Sequence, residues 1–226
     1  ADKDAARLLL QEALAFFDFG DSGVFVRVNP LSEGGTEDIA VAGKGKPQAF
    51  ILPRADAESL PKADAAVAAL EAENGFAPGS AKLIPTVESV AAVENINALL
   101  ASCPRIAAVV FNAANFLKDL GVADTGDAMQ ILHARSKVAL ACRAAGVPAI
   151  DRPWYDAKDR AGFEADARNA RALGFTGKLA VNGPCQIGGR GAGSLQGGCG
   201  VGHERVESFS VLRGSFAGGK PHAVSG

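Results

Sequence analysis

Six short runs rich in β-branched residues alternate with longer amphipathic stretches, and this alternation constrains the fold more than any other feature of the chain. The runs are Val24–Val28, Phe50–Leu52, Lys82–Ile84 continuing to Val87, Ala107–Phe111, Pro148–Ile150 and Leu179–Val181. A two-residue period that repeatedly gives way to a 3.6-residue period predicts parallel strands joined by crossover helices. The helical stretches have visible faces and stops. Leu9, Ala13, Phe16 and Phe17 form an apolar stripe on an opening helix that ends near Gly20. A helix over Ala63–Glu73 follows Pro61 and stops at Asn74-Gly75, and Ser89 caps one over Val90–Leu100 with Val93, Ile96 and Leu100 inward. Ile131, Val138 and Cys142 line the next before Gly146, and Phe163, Ala167 and Ala170 line the last before Gly174. Six strands with a helix ahead of the first fall two βα units short of a (β/α)8 barrel, although an open doubly wound sheet gives the same local pattern.

In either architecture ligands gather at the carboxyl ends of the strands. Those ends carry Arg27 and Asn29, Pro53-Arg54, Glu88, Asn112 and Asn115, Asp151, and Asn182. An arginine, a glutamate and several carboxamides around one mouth suit a small carboxylate substrate and a hard cation, since Mg2+ takes oxygen ligands and needs only one or two protein carboxylates. Loops are wet, however, and polar strand ends also arise for that reason alone. Asp151 is a second-tier site that orients the mouth or caps the next loop. Arg135 shares a helix face with Ile131, Val138 and Cys142 and reads as structural, reaching a nearby carboxylate or carbonyl. His133 stands alone on its helix.

Other classes fit poorly. Lys and Arg total 23 against 25 Asp and Glu, so no net attraction draws the chain to nucleic acid or anionic lipid. No stretch approaches the roughly 18 apolar residues of a membrane span. The four cysteines, 103, 142, 185 and 199, lack the close spacing of a zinc knuckle or redox dithiol, which points to a reducing cytoplasm. Residues 188–226 hold 12 of the 27 glycines. Gly188–Gly202 is therefore expected to be mobile, while Val206–Phe216 retains enough apolar character to dock. Gly191–Gly197 lacks the spacing and following helix of a phosphate loop. The expected division is a barrel-like unit over 1–187 and a glycine-rich tail over 188–226.

The segments FVRVNP (25–30), AFILPRADAESL (49–60), IPTVESVAAVENINAL (84–99), AAVVFNAANFLKDLG (107–121), ARSKVALACRAAGVPAID (134–151) and GFTGKLAVNGPCQI (174–187) resemble, in order, the citrate lyase β-subunit-like branch of the HpcH/HpaI aldolase superfamily. The resemblance implies a TIM (β/α)8 barrel entered at its third strand, so that the first two strands are missing from this sequence. It implies metal-assisted cleavage of CoA thioesters of 3-hydroxy acids such as citryl-CoA or malyl-CoA, in the cytoplasm. Partners would be a small oxo acid or acyl-CoA and further copies of the chain in a trimer or hexamer, not nucleic acid or membrane.

By that resemblance Glu88 in VES supplies a carboxylate oxygen to Mg2+, or to Mn2+ in its place, and also contacts substrate. Arg27 in RVN is the catalytic and substrate-binding arginine, gripping a carboxylate or steadying an enolate oxygen. The second metal position falls on Asn115, where the family has an aspartate, so the site loses a full charge. Asn112 replaces a glycine and is expected to narrow the pocket, Arg54 replaces a lysine, and VNGPCQI lacks the family's histidine. Residues 188–226 contain no aspartate to complete a neighbouring site. The alternative expectation is a catalytically impaired barrel that serves as an oxo-acid-binding or oligomerisation module.

Overall fold

The computed structural model describes residues 2–19, 23–156, 158–180, 196–197 and 211–214. Six parallel strands pair in chain order: β1 (Gly23–Arg27), β2 (Ala49–Leu52), β3 (Lys82–Val87), β4 (Val109–Phe111), β5 (Ala149–Trp154) and β6 (Gly177–Ala180). Two short strands follow, β7 (Gln196–Gly197) and β8 (Val211–Gly214). β8 pairs antiparallel with the outer edge of β1, with Val211 opposite Val26, and β7 pairs with β8. Of the run expected to dock, Val206–Phe216, the described residues Val211–Gly214 thus pair with the first strand, and the others lie outside the described residues. The rest of the expected mobile segment, apart from Gln196-Gly197, lies outside the described residues.

The parallel sheet curls into a half-barrel, and alternate residues bury on its opposite faces. Phe25, Ala49, Ile51, Ile84, Ala108, Val110 and Ile150 form one cluster on the concave face, with Leu179 packed against it. The larger cluster joins Val26, Phe50, Leu83, Val109 and Phe111 to the helices on the convex face. Those helices are α1 (Asp2–Phe16), α2 (Gly35–Ala42), α3 (Ser59–Glu73), α4 (Val90–Glu94), α5 (Ile96–Ala101), α6 (Ala113–Leu120), α7 (Leu132–Ala144) and α8 (Arg160–Ala172). Among the described residues no helix is long and apolar enough to cross a membrane.

The structure corrects several local expectations. The single helix expected over Val90–Leu100 breaks at Asn95, and Leu99 replaces Leu100 on the buried face, while Ser89 caps α4 as expected by accepting from Ala92 N. In α8 the buried positions are Phe163, Asp166 and Ala170, with Ala167 only half-buried. On α1 the stripe turns outward: Leu9 is 71% and Phe16 84% exposed, whereas Leu10 is buried. The face is chosen by Arg7, whose Nε donates to the fully buried Asp38 of α2 at 2.7 Å. Leu10 and Leu14, three and seven residues on from Arg7, pack against the core on the same side of the helix.

Asp151 is not at the mouth. It lies on the convex face, fully buried, with its carboxylate against Arg135 Nε at 3.1 Å, Arg135 Nη2 at 2.7 Å and Lys178 Nζ at 2.8 Å. Asp166 of α8 joins the same network through Lys178, Arg135 and Arg152. Arg135 is therefore the structural ion-pair partner expected of it, and the network ties α7 and α8 to β5 and β6.

Candidate functional site

Alternation along the strands delivers three side chains to the concave mouth. Arg27 lies two residues beyond Phe25, Asn112 two beyond Val110 and Glu88 four beyond Ile84, all in step with the concave cluster. Arg27 is exposed at the end of β1, so the burial penalty expected for an arginine in an apolar strand does not arise. Glu88 is only 5% exposed.

Burial of a lone carboxylate demands hydrogen bonds, and Glu88 receives three. Its Oε1 accepts from the Arg54 backbone N–H at 2.8 Å. Its Oε2 accepts from Asn112 Nδ2 at 3.0 Å and from Asn115 Nδ2 at 2.8 Å. Asn112 caps α6 through its other amide atom, Oδ1, which accepts from Asn115 N at 3.3 Å. The first turn of α6 is thereby wired to the carboxylate.

Arg54 reaches Glu88 by an unusual backbone. Its φ of 50° lies in the left-handed region, a conformation that costs a non-glycine residue about 1–3 kcal/mol and that gathers at functional sites. The strain turns the amide onto Glu88, while the guanidinium swings out to Glu33 Oε1 at 2.6 Å. Sequence reasoning noticed the charge of Arg54, but its described contact with the site is the backbone N–H. Asn112, expected as an obstruction, is a donor that holds the glutamate.

Asn29 is drawn away from the mouth: its N and Nδ2 both donate to Asp38 Oδ2, at 2.7 and 2.8 Å. Asn182 and the VNGPCQI segment lie outside the described residues. Arg27 at the end of β1 and Glu88 just beyond β3 both stand at the carboxyl ends of the strands, and the charge of each acts on the phenol of Tyr155 just beyond β5. Beside Glu88 a cleft of about 910 Å³ runs outward between the loop before α3 and the helices α4–α6, lined by Arg54, Glu58, Asn95, Asn115 and Lys118 among others.

Among the described residues no three His, Cys, Asp or Glu side chains converge as a metal cage. The donor set at the mouth is one carboxylate and two carboxamides. Turning the Asn115 amide over would present its oxygen beside Glu88, which fits a hard cation that keeps most of its shell in water and ligand oxygens.

The HpcH/HpaI aldolase/citrate lyase profile matches residues 1–183. The chain belongs to this family. It is 30% identical over 188 residues to the citrate lyase subunit beta of Escherichia coli K12, covering 82% of this chain and 62% of that protein. It is likewise 30% identical over 196 residues to the mitochondrial citramalyl-CoA lyase of Mus musculus, covering 82% of this chain and 58% of that one. The chain thus spans less than two thirds of the length of these relatives. Among solved structures, RipC from Yersinia pestis matches with a TM-score of 0.67 at 28% identity, covering 81% of this chain and 78% of RipC. The CitE protein of Mycobacterium tuberculosis, solved with magnesium and acetoacetate, shares the fold with a TM-score of 0.66 at 23% identity, over 82% of this chain and 72% of CitE.

Proposed function

We propose that this family member is a carbon–carbon lyase that, with Mg2+ or Mn2+, cleaves the CoA thioester of a 3-hydroxy acid, of citryl-CoA or malyl-CoA type, into an acyl-CoA and an oxo acid. The observation that carries the reading is the buried Glu88 carboxylate, held by three N–H donors at the carboxyl ends of the strands, where the exposed Arg27 also stands. The relatives named as CoA lyases supply the substrate class.

In this reading Arg27 grips the carboxylate of the oxo acid with its planar fork and opposes charge that develops on the adjacent oxygen. Glu88 and the Asn115 amide oxygen hold the cation, which when bound polarises the carbonyl as a Lewis acid. The Arg54 amide and Asn112 keep Glu88 fixed, so that the Asn115 amide is the group that turns over when the cation arrives. The assembly in this reading is a cytoplasmic homotrimer or hexamer.

A second reading has its own support. Both oxygens of Glu88 are already satisfied by N–H donors, the state of a carboxylate that functions without a cation, which favours a catalytically impaired barrel for oxo-acid binding or oligomerisation. Cleavage of citryl-CoA and malyl-CoA, measured with and without EDTA, separates the two. The lyase reading expects metal-dependent turnover; its absence from the full-length protein overturns that reading.

A further inference from the structure

A register shift in β5 re-aims a side chain that nothing in the family resemblance singles out. Ile150 faces the concave cluster and Asp151 the helices. Strict alternation would send Pro153 and Tyr155 outward with Asp151. Against β6, however, Asp151 pairs with Lys178 and Trp154 with Ala180, so three steps along β5 match two along β6. The extra residue is a β-bulge, a device found at barrel rims and beside active sites, where it redirects a side chain. It returns Trp154 to the helical side, where a Cβ added to Gly162 of α8 would lie 2.6 Å from Trp154 Cζ2. Tyr155, one residue on, is delivered to the mouth.

Resting on the oxo-acid reading above, we propose that Tyr155 is a ligand-contacting residue whose phenolic O–H donates to the carboxylate or carbonyl oxygen of the acid that Arg27 holds. The phenol lies within electrostatic reach of four charged groups, Arg27, Arg152, Asp124 and Glu88. Its hydroxyl has no hydrogen-bond partner among the described residues, and the side chain is 61% exposed, open to a ligand entering the mouth. Partial withdrawal from water raises its pKa most, the two arginines pull it down, and the two carboxylates raise it, with a net rise above the ordinary phenol value. The group therefore remains a neutral donor at physiological pH, adding a second hydrogen bond to the acid without adding charge beside Arg27.

The chain has one tyrosine and one tryptophan, adjacent in sequence, so Trp154→Phe leaves Tyr155 as the sole tyrosine or tryptophan chromophore. The full chain is titrated with pyruvate or oxaloacetate in Mg2+ by calorimetry and by near-ultraviolet difference absorbance, alongside Trp154→Phe and Tyr155→Phe. The expected result is a tyrosine difference band on saturation and binding weakened about five- to tenfold in Tyr155→Phe, with an unchanged thermal midpoint. Calorimetric binding with a flat tyrosine spectrum and unweakened Tyr155→Phe overturns the role of Tyr155 and leaves the oxo-acid reading standing. Absence of binding of both pyruvate and oxaloacetate in the unsubstituted protein overturns both.

Discussion

Asn115 Nδ2 donates to Glu88 Oε2 at 2.8 Å, an amide-to-carboxylate contact at the position where a cation would sit. Asn115→Asp converts it into two facing carboxylates, which repel unless a cation or proton lies between them. The variant should melt lower than the parent in EDTA and recover in Mg2+. Its Mg2+ affinity should rise at least about tenfold, equivalent to about 1.4 kcal/mol. Calorimetry of Mg2+ binding checks this, and unchanged affinity would show that the mouth is not a cation site.

Asp151 and Arg135 are both buried and joined by two hydrogen bonds, with Lys178 on the same carboxylate. Asp151→Asn leaves Arg135 and Lys178 to share the single carboxylate of Asp166, which also serves Arg152, and urea unfolding should show a loss of about 3 kcal/mol. The paired change Asp151→Leu with Arg135→Met should be milder than the single one, because it leaves fewer uncompensated charges.

Acid stability should report on Asp166. Burial alone would raise its pKa, but Lys178, Arg152 and Arg135 outweigh burial and hold it below the ordinary value of 3.8. A carboxyl group depressed in the folded state contributes stability that is complete above 3.8 and is lost as pH falls through the lower folded value. Asp166→Asn removes that titration, so stability of the variant, already lower at neutral pH, should fall less steeply below about pH 4. Chemical unfolding at a series of acidic pH values measures the slopes, and identical slopes would count against the ion network.

Gly35 sets the approach of α2 to the loop that follows Arg27. A Cβ there would lie 2.2 Å from the Asn29 carbonyl oxygen and 3.1 Å from Pro30 C, both backbone atoms. Gly35→Ala should cost about 1–3 kcal/mol or more in unfolding experiments. It should also weaken pyruvate binding, because Asn29 and Arg27 share one short stretch of backbone. Unaltered stability would mean that the loop is free to move.

The parallel strands were legible because β-branched runs mark them directly, and the position of Glu88 followed from its place at the end of one. Helices α2 and α6 were missed: α2 is short and begins at glycine, whereas α6 carries a legible stripe, Ala113, Phe116 and Leu117, between its Asn112 cap and Gly121. The buried face of α1 was misread because its deciding contact, Arg7 with Asp38, joins residues 31 apart and leaves no trace in local periodicity. Asp151 was expected at the mouth, and Tyr155, which the sequence did not single out, is proposed there instead, for a related reason. An aspartate at a strand end looks like a site residue until its partners on α7 and β6 are known, and a bulge alters side-chain parity without a sequence mark. Asn112 was visible as a departure from the family pattern, but its bond to Glu88 depends on the curl that brings β3 and β4 together.

The most direct test is calorimetric titration of the full chain with oxaloacetate in Mg2+, repeated in EDTA and with Glu88→Gln and Arg27→Met. Saturable binding that disappears in EDTA and falls at least about tenfold in each variant is the predicted result. Binding of equal strength without the cation, or without either side chain, would contradict the account.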